Sequence, residues 1–104
     1  MSDKHDVFFA IADSKRREII ERLAVEKHAI TLNAISERFT ISRQAVRKHM
    51  TILHEAGLVD FKKRGREKYC QLNLEPLRRV YQWLAIYEQF WGEKLIALEK
   101  YLDQ

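Results

Sequence analysis

Arg43, Gln44, Arg47, Lys48, Thr51 and His54 are the side chains best equipped for chemistry in this chain. That chemistry is recognition, not bond breaking. On a helix, Arg43, Arg47, Thr51 and His54 fall at i, i+4, i+8 and i+11 and share one strip, with Gln44, Lys48 and Glu55 beside it. Arginine pairs bidentately with guanine O6 and N7, and glutamine with adenine N6 and N7. Arg43, Gln44 and Arg47 are therefore candidate base readers, and Thr51 extends their strip. Lys48, a compact point charge, suits a phosphate. The Ser42 hydroxyl and the helix N-terminus behind it can meet another phosphate. The competing interpretation is a plain solvated helix face. Three basic residues against the single acid Glu55 argue for a polyanion instead.

A second basic cluster, Lys62, Lys63, Arg64, Arg66 and Lys68, surrounds Gly65. Lys63, Arg64 and Arg66 are candidate contacts to a nucleic-acid backbone or minor groove. The same lysines would also protect an exposed strand edge from aggregation. Catalysis is not expected: no acid–base pair, activated nucleophile or phosphate-cradling glycine loop is present. His5, His28 and His54 lack metal-ligand spacing, and His49 lies next to the apolar position Met50, where a packed or capping role is favoured. No metal and no cofactor are expected. The lone Cys70 excludes an intrachain disulfide and a cysteine-based zinc finger, and its strand parity with Leu72 and Leu74 points it inward as a small hydrophobe. A redox role would require an exposed thiolate.

The chain's 104 residues allow one domain with one core. Hydrophobic residues make up 46% and charged residues 33%, which is a globular rather than a disordered profile. The net charge is +4, but residues 36–68 alone carry nine basic and four acidic side chains, while the two flanking segments are near neutral. A positive patch on a near-neutral body suits a polyanionic partner, with double-stranded DNA as the leading choice. No apolar run reaches the ~20 residues needed to span a bilayer, so no membrane association is expected. The opening residues Met1 to Asp6 include Asp3, Lys4 and Asp6 and show no secretory pattern, so a cytoplasmic location is expected.

The elements that must position these side chains follow from capping and periodicity. Val7, Phe8, Ala10 and Ile11 form a short first helix, and Asp13 or Ser14 caps a second, with Ile19, Ile20, Leu23 and Ala24 at helical spacing, that fades at Lys27-His28. Thr31 caps a third, with Leu32, Ile35 and Phe39 on its apolar face. After a connector of about three residues, Ser42 caps a fourth, with Val46, Met50, Leu53 and Ala56 facing the core. Gly57 follows in the position a helix C-terminus prefers. Two β-compatible runs around Gly65 then read as a hairpin. The expected fold is mainly α with a small β-hairpin. It is one winged helix-turn-helix domain over 1–104, with the helix-turn-helix at about 31–57 and the wing at about 58–73.

Pro76 opens a last helix, expected over about 75–103 and ~40 Å long. Leu77, Val80, Leu84, Tyr87 and Trp91 step along one face; Leu95, Leu98 and Leu102 continue it after a small shift in phase; and Trp83, Ile86 and Phe90 widen it. A compact domain of this size has a radius of gyration of only ~13 Å, so the whole stripe cannot hide inside it. It is expected to form a homodimer interface through Leu84, Tyr87, Trp91, Leu95 and Leu98, completed by Phe8, Phe9 and Ile11 of the first helix.

Four segments carry a family resemblance. Residues Phe9 to Ile19 (FAIADSKRREI) resemble the opening of the ArsR family of bacterial winged-helix repressors. Ile41 to Met50 (ISRQAVRKHM) is similar to that family's recognition helix. Glu55-Ala56-Gly57-Leu58-Val59, followed by Gly65-Arg66 and Tyr69, looks like its helix-to-wing junction, and Leu72-Asn73 with Glu75-Pro76-Leu77 matches the entry to its last helix. The resemblance covers nearly the whole chain in order. It implies a dimeric repressor of a near-palindromic operator, joined through the first and last helices. Ser14 replaces a proline common in the family. Arg47 stands where a small residue is common, which implies a shifted operator preference. Residues 31–39 contain no Cys, and residues 75–104 contain neither His nor Cys, so the family's metal sites are not expected. No small-molecule effector can be identified. Trp83, Tyr87, Phe90 and Trp91 could line a pocket, but a packed interface is the favoured use. The alternative function is a winged-helix protein-interaction module that docks an acidic partner.

Overall fold

Side-chain caps start the first four helices. In the computed structural model, which describes residues 5–103, α1 (Val7–Ile11) begins at Asp6, whose carboxylate accepts from the Phe9 N–H at 2.9 Å. The leader reading at Met1–Lys4 lies outside the described residues. Asp13 caps α2 (Ser14–Ala24), accepting from the N–H groups of Lys15 at 2.7 Å and Arg16 at 3.2 Å. Partial burial works to raise the Asp13 pKa, but those two N–H groups and the nearby Arg16 and His49 outweigh it and hold the carboxyl below its usual value. α2 ends at Ala24, earlier than expected, because the chain must turn into a strand, β1 (Ile30–Thr31).

Thr31 caps α3 (Leu32–Ser36) through the Ala34 N–H at 3.0 Å, and Ser42 caps α4 (Arg43–Glu55) through the Ala45 N–H at 3.0 Å. The connector between them, residues 37–42, is longer than the sequence suggested. The Ser36 hydroxyl donates back to the Leu32 carbonyl at 2.9 Å in the last turn of α3, and serine back-bonding of this kind weakens helices. Phe39 therefore lies beyond α3, not on it, and packs against the core from the loop, with the Lys15 ammonium 5.7 Å above its ring.

α4 ends in a Schellman arrangement. The Leu58 N–H donates to the Leu53 carbonyl, and the Gly57 N–H to that of His54, both at 2.9 Å, with Gly57 at φ +83°. The wing follows as β2 (Val59–Arg64) and β3 (Glu67–Leu72), joined by Gly65-Arg66. Gly65 takes φ +62° and Arg66 does not take a positive φ, as a two-residue type II′ hairpin requires. β1 pairs antiparallel with β3, giving a three-stranded sheet in the order β1-β3-β2. Leu74 lies past the end of β3 and is 52% exposed, so the inward parity of Cys70 does not extend to it.

The core joins Val7 and Ala10 of α1, Ile19 and Leu23 of α2, Ile30 and Ile35, Val46, Met50 and Leu53 of α4, and Leu58, Val59 and Cys70 of the wing. Burial pushes the Cys70 thiol up to about 11, so at neutral pH it is a protonated hydrophobe.

The last helix is not continuous. It divides at Tyr87 into α5 (Leu77–Ile86) and α6 (Glu88–Leu102). No proline or glycine marks the break, and Gly92 sits undisturbed within α6. The division falls where docking on α1 stops. Phe8 meets Trp83 edge-to-face at 5.8 Å, and beyond it Tyr87 and Phe90 make the tighter i→i−3 bonds to Leu84 and Tyr87. Neither α5 nor α6 contributes a fully buried residue. The radius of gyration is 16.7 Å, above the ~13 Å of a compact domain, as an outlying helix produces.

Candidate nucleic-acid interface

Because Val46, Met50 and Leu53 anchor α4 inward, its opposite side must face solvent. Arg43, Gln44, Arg47, Lys48 and Thr51 are all exposed there. The Thr51 hydroxyl donates to the Arg47 carbonyl at 3.0 Å, which leaves its oxygen and methyl group toward solvent. His54 leaves the expected strip: its Nδ1 lies 2.8 Å from the Val59 carbonyl, and its ring rests on Phe61 at 4.7 Å. It joins α4 to the wing.

α4 is also fixed from behind. The Arg16 side chain is nearly buried. Its Nε donates to the Ala10 carbonyl at 2.8 Å, Nη2 to the Phe9 carbonyl at 3.2 Å, and Nη1 to His49 Nδ1 at 3.2 Å. A guanidinium only donates, so His49 Nδ1 is the acceptor in this contact. One side chain thus ties α1 and α2 to the middle of α4. The sequence suggested a packing role for His49; the structure supplies its partner.

Strand register divides the basic wing into two faces. Val59, Phe61 and Lys63 pair with Leu72, Cys70 and Lys68 on the face toward the core and α4. Asp60, Lys62 and Arg64 pair with Gln71, Tyr69 and Glu67 on the opposite face. Lys63 therefore shares a face with Lys68, while Arg64 turns away and lies 5.6 Å over the Tyr69 ring. Arg66 sits at the exposed tip. Leu32, Arg47, Met50, Thr51, Phe61 and Lys68 line a groove of about 320 Å³ between α4 and the wing. Lys68, with its ammonium 4.6 Å above the Phe61 ring, belongs to this groove, although the sequence alone did not mark it as a contact. Its strand parity with Cys70 was the signal that could have placed it.

The cations of this surface lack carboxylate partners among the described residues, as do Arg17, Arg22 and Arg79 elsewhere. Lys15, Arg16, Arg38 and Arg78 each have a carboxylate within ion-pair distance. Among the described residues, Arg43, Arg47, Lys48, Lys63, Arg66 and Lys68 have none. A row of unpaired cations over a protruding helix and hairpin can neutralise phosphates. The same residues offer no nucleophile with a base, and no described group of three or more His, Cys, Asp or Glu could hold a metal ion. No described helix is long and apolar enough to cross a membrane.

Comparison with known proteins points the same way. A family profile described as an HTH domain matches residues 15–67. The chain is 36% identical over 84 residues to the HTH-type transcriptional regulator YuzN of Bacillus subtilis (strain 168), covering 75% of this chain and 90% of that one. It is 31% identical over 80 residues to the transcriptional repressor SdpR of the same organism, covering 77% and 87%. Among solved structures, the ArsR-like transcriptional regulator from Rhodococcus sp. RHA1 superposes with a TM-score of 0.71 at 29% identity, over 93% of this chain and 87% of that one.

Proposed function

Since the chain belongs to the ArsR-like winged helix-turn-helix transcriptional regulators, a family that binds double-stranded DNA, we propose that it is a homodimeric repressor of a near-palindromic operator. The observation that carries this is the unpaired, exposed Arg43–Gln44–Arg47 face of a helix whose other side is locked into the core. In the complex, α4 enters the major groove. Arg43 and Arg47 read guanines and Gln44 an adenine, while Thr51 lies further along the same groove wall. Lys48 neutralises a phosphate. The Ser42 oxygen already accepts from Ala45, so its hydroxyl proton is free to reach another phosphate beside the α4 N-terminus. Lys63 and Arg66 follow the backbone from the wing, with Arg64 beside the tip.

The dimer is the second half of the proposal. Trp91, Leu95 and Leu98 are 40–51% exposed on α6, where with Phe90 and Lys94 they border an apolar depression of about 380 Å³. An apolar face of this kind is covered most simply by its own symmetry mate. Leu84 and Tyr87 continue the face toward the body. Phe8 and Ile11 are already half covered within the chain, so their share in the dimer is their outer edges, together with the more exposed Phe9. Repression needs no metal site in this account, and the protein works in the cytoplasm beside the chromosome.

Selection of bound duplexes from a random DNA pool at two salt concentrations tests both halves. The expected product is an inverted repeat with half-sites about 34 Å apart and a steep salt dependence. Enrichment of a single half-site would sink the dimer. No enrichment would sink sequence-specific reading and favour docking of an acidic protein.

A further inference from the structure

The wing face turned away from α4 carries Lys62 and Arg64 together with Asp60 and Glu67. It borders an open cavity of about 690 Å³ between the sheet and the loop after α2, lined by Lys27, His28, Asp60, Lys62, Arg64 and Tyr69. The lining holds Lys27, Lys62 and Arg64 against the single carboxylate Asp60, an excess of two positive charges. None of the three cations has an ion-pair partner among the described residues. Glu67, the strand partner of Arg64, is not within ion-pair distance of it. Arg38 and Arg78, by contrast, are paired, with Glu26 and Glu75.

We infer that this cavity is a binding site for a phosphate-bearing polyanion, separate from the α4 surface. A monocarboxylate would leave charge unneutralised, whereas a phosphate carries more than one charge and several acceptor oxygens. The guanidinium fork of Arg64, braced over Tyr69, matches phosphate geometry, and Lys27 and Lys62 add point charges from two different elements. The phosphate can belong to a small free molecule or to DNA that bends past the wing. The chemistry is the same, and the two sources separate experimentally.

Inorganic pyrophosphate is titrated into the free full-length chain at low salt and followed by calorimetry. The wild type, Lys27→Ala with Lys62→Ala, and Lys63→Ala with Lys68→Ala are compared. All four side chains are exposed, and thermal melting checks that each variant folds. Loss of two charge-assisted contacts should weaken binding by about tenfold or more in the first pair and leave the second within about twofold. That result assigns the site to a free phosphate compound, whatever operator the protein reads. If pyrophosphate fails to bind but the first pair lowers the salt slope of DNA binding by about two, the phosphate is supplied by DNA. If neither occurs, or if only the Lys63 and Lys68 pair weakens pyrophosphate, the site does not exist as described.

Discussion

Leu53 in α4 is fully buried, whereas Leu98 in α6 is 51% exposed, although both sit on the apolar side of an amphipathic helix. The difference is one of neighbours. Residues 7–70 supply a closed core in which α1, α2, α4 and the sheet all cover one another. α6 packs chiefly against α5 among the described elements, and Phe90, Trp91, Leu95 and Leu98 stay 40–58% exposed. Hydrophobic patterning states that a face will be covered. It does not state by which chain. The body closes its own core, whereas the apolar face of α6 stays open to solvent within the chain, which is why the proposed dimer is placed there.

Separating reading from assembly gives the largest expected effect. Arg43→Ala with Arg47→Ala removes two bidentate contacts, each about 1–3 kcal/mol, so specific DNA affinity should fall about 10²–10⁴-fold while the oligomeric state stays unchanged. Mobility shift and analytical ultracentrifugation on the same sample check both parts. Retained DNA affinity would erase the division of labour and favour an acidic protein partner.

Stability sharpens the contrast. Leu53→Ala should cost about 2–5 kcal/mol in denaturant melts at any protein concentration, as for a filled core position. Leu98→Ala should cost that much only where dimer is populated, and little at dilution. Equal, concentration-independent losses would place α6 inside the monomer core.

Charges on α6 break assembly directly. Leu95→Glu with Leu98→Glu should raise the dimer dissociation constant about 100-fold or more, because two carboxylates would have to be buried unpaired. The body should retain its helical circular dichroism. A variant that remains dimeric by sedimentation would move the interface elsewhere.

The smallest effect concerns Asp13, whose cap supports α2 and the Arg16 that steadies α4. Its folded pKa is depressed, so its contribution is complete above the unfolded carboxylate value and disappears as pH falls through the folded one. Asp13→Ala should lose about 1 kcal/mol at neutral pH, and Asp13→Asn much less, since asparagine also caps. The wild-type advantage over Asp13→Ala should shrink on acidification below about pH 4. An advantage independent of pH would assign the loss to packing rather than to charge.

Local physics was legible in the chain. Asp13, Thr31 and Ser42 cap because a short oxygen-bearing side chain satisfies free N–H groups a few residues on. Gly57 and Gly65 adopt positive φ because only their positions demand it. The exposed arginines of α4 followed from knowing which side of that helix was apolar. These features depend on residues within a turn of one another, so the amino-acid sequence determined them by itself. The remainder required partners distant in the chain. β1 is two residues long and exists because β3 offers it an edge. Arg16 finds His49 across 33 positions. The wing bases divide into two faces only once β2 and β3 are in register, and that separates Lys63 and Lys68 from Lys62 and Arg64. The break at Tyr87 leaves no mark in composition, because it arises where α5 runs out of α1 to pack against. Tertiary structure decided these points, since each rests on which surface lies opposite and not on which residue comes next.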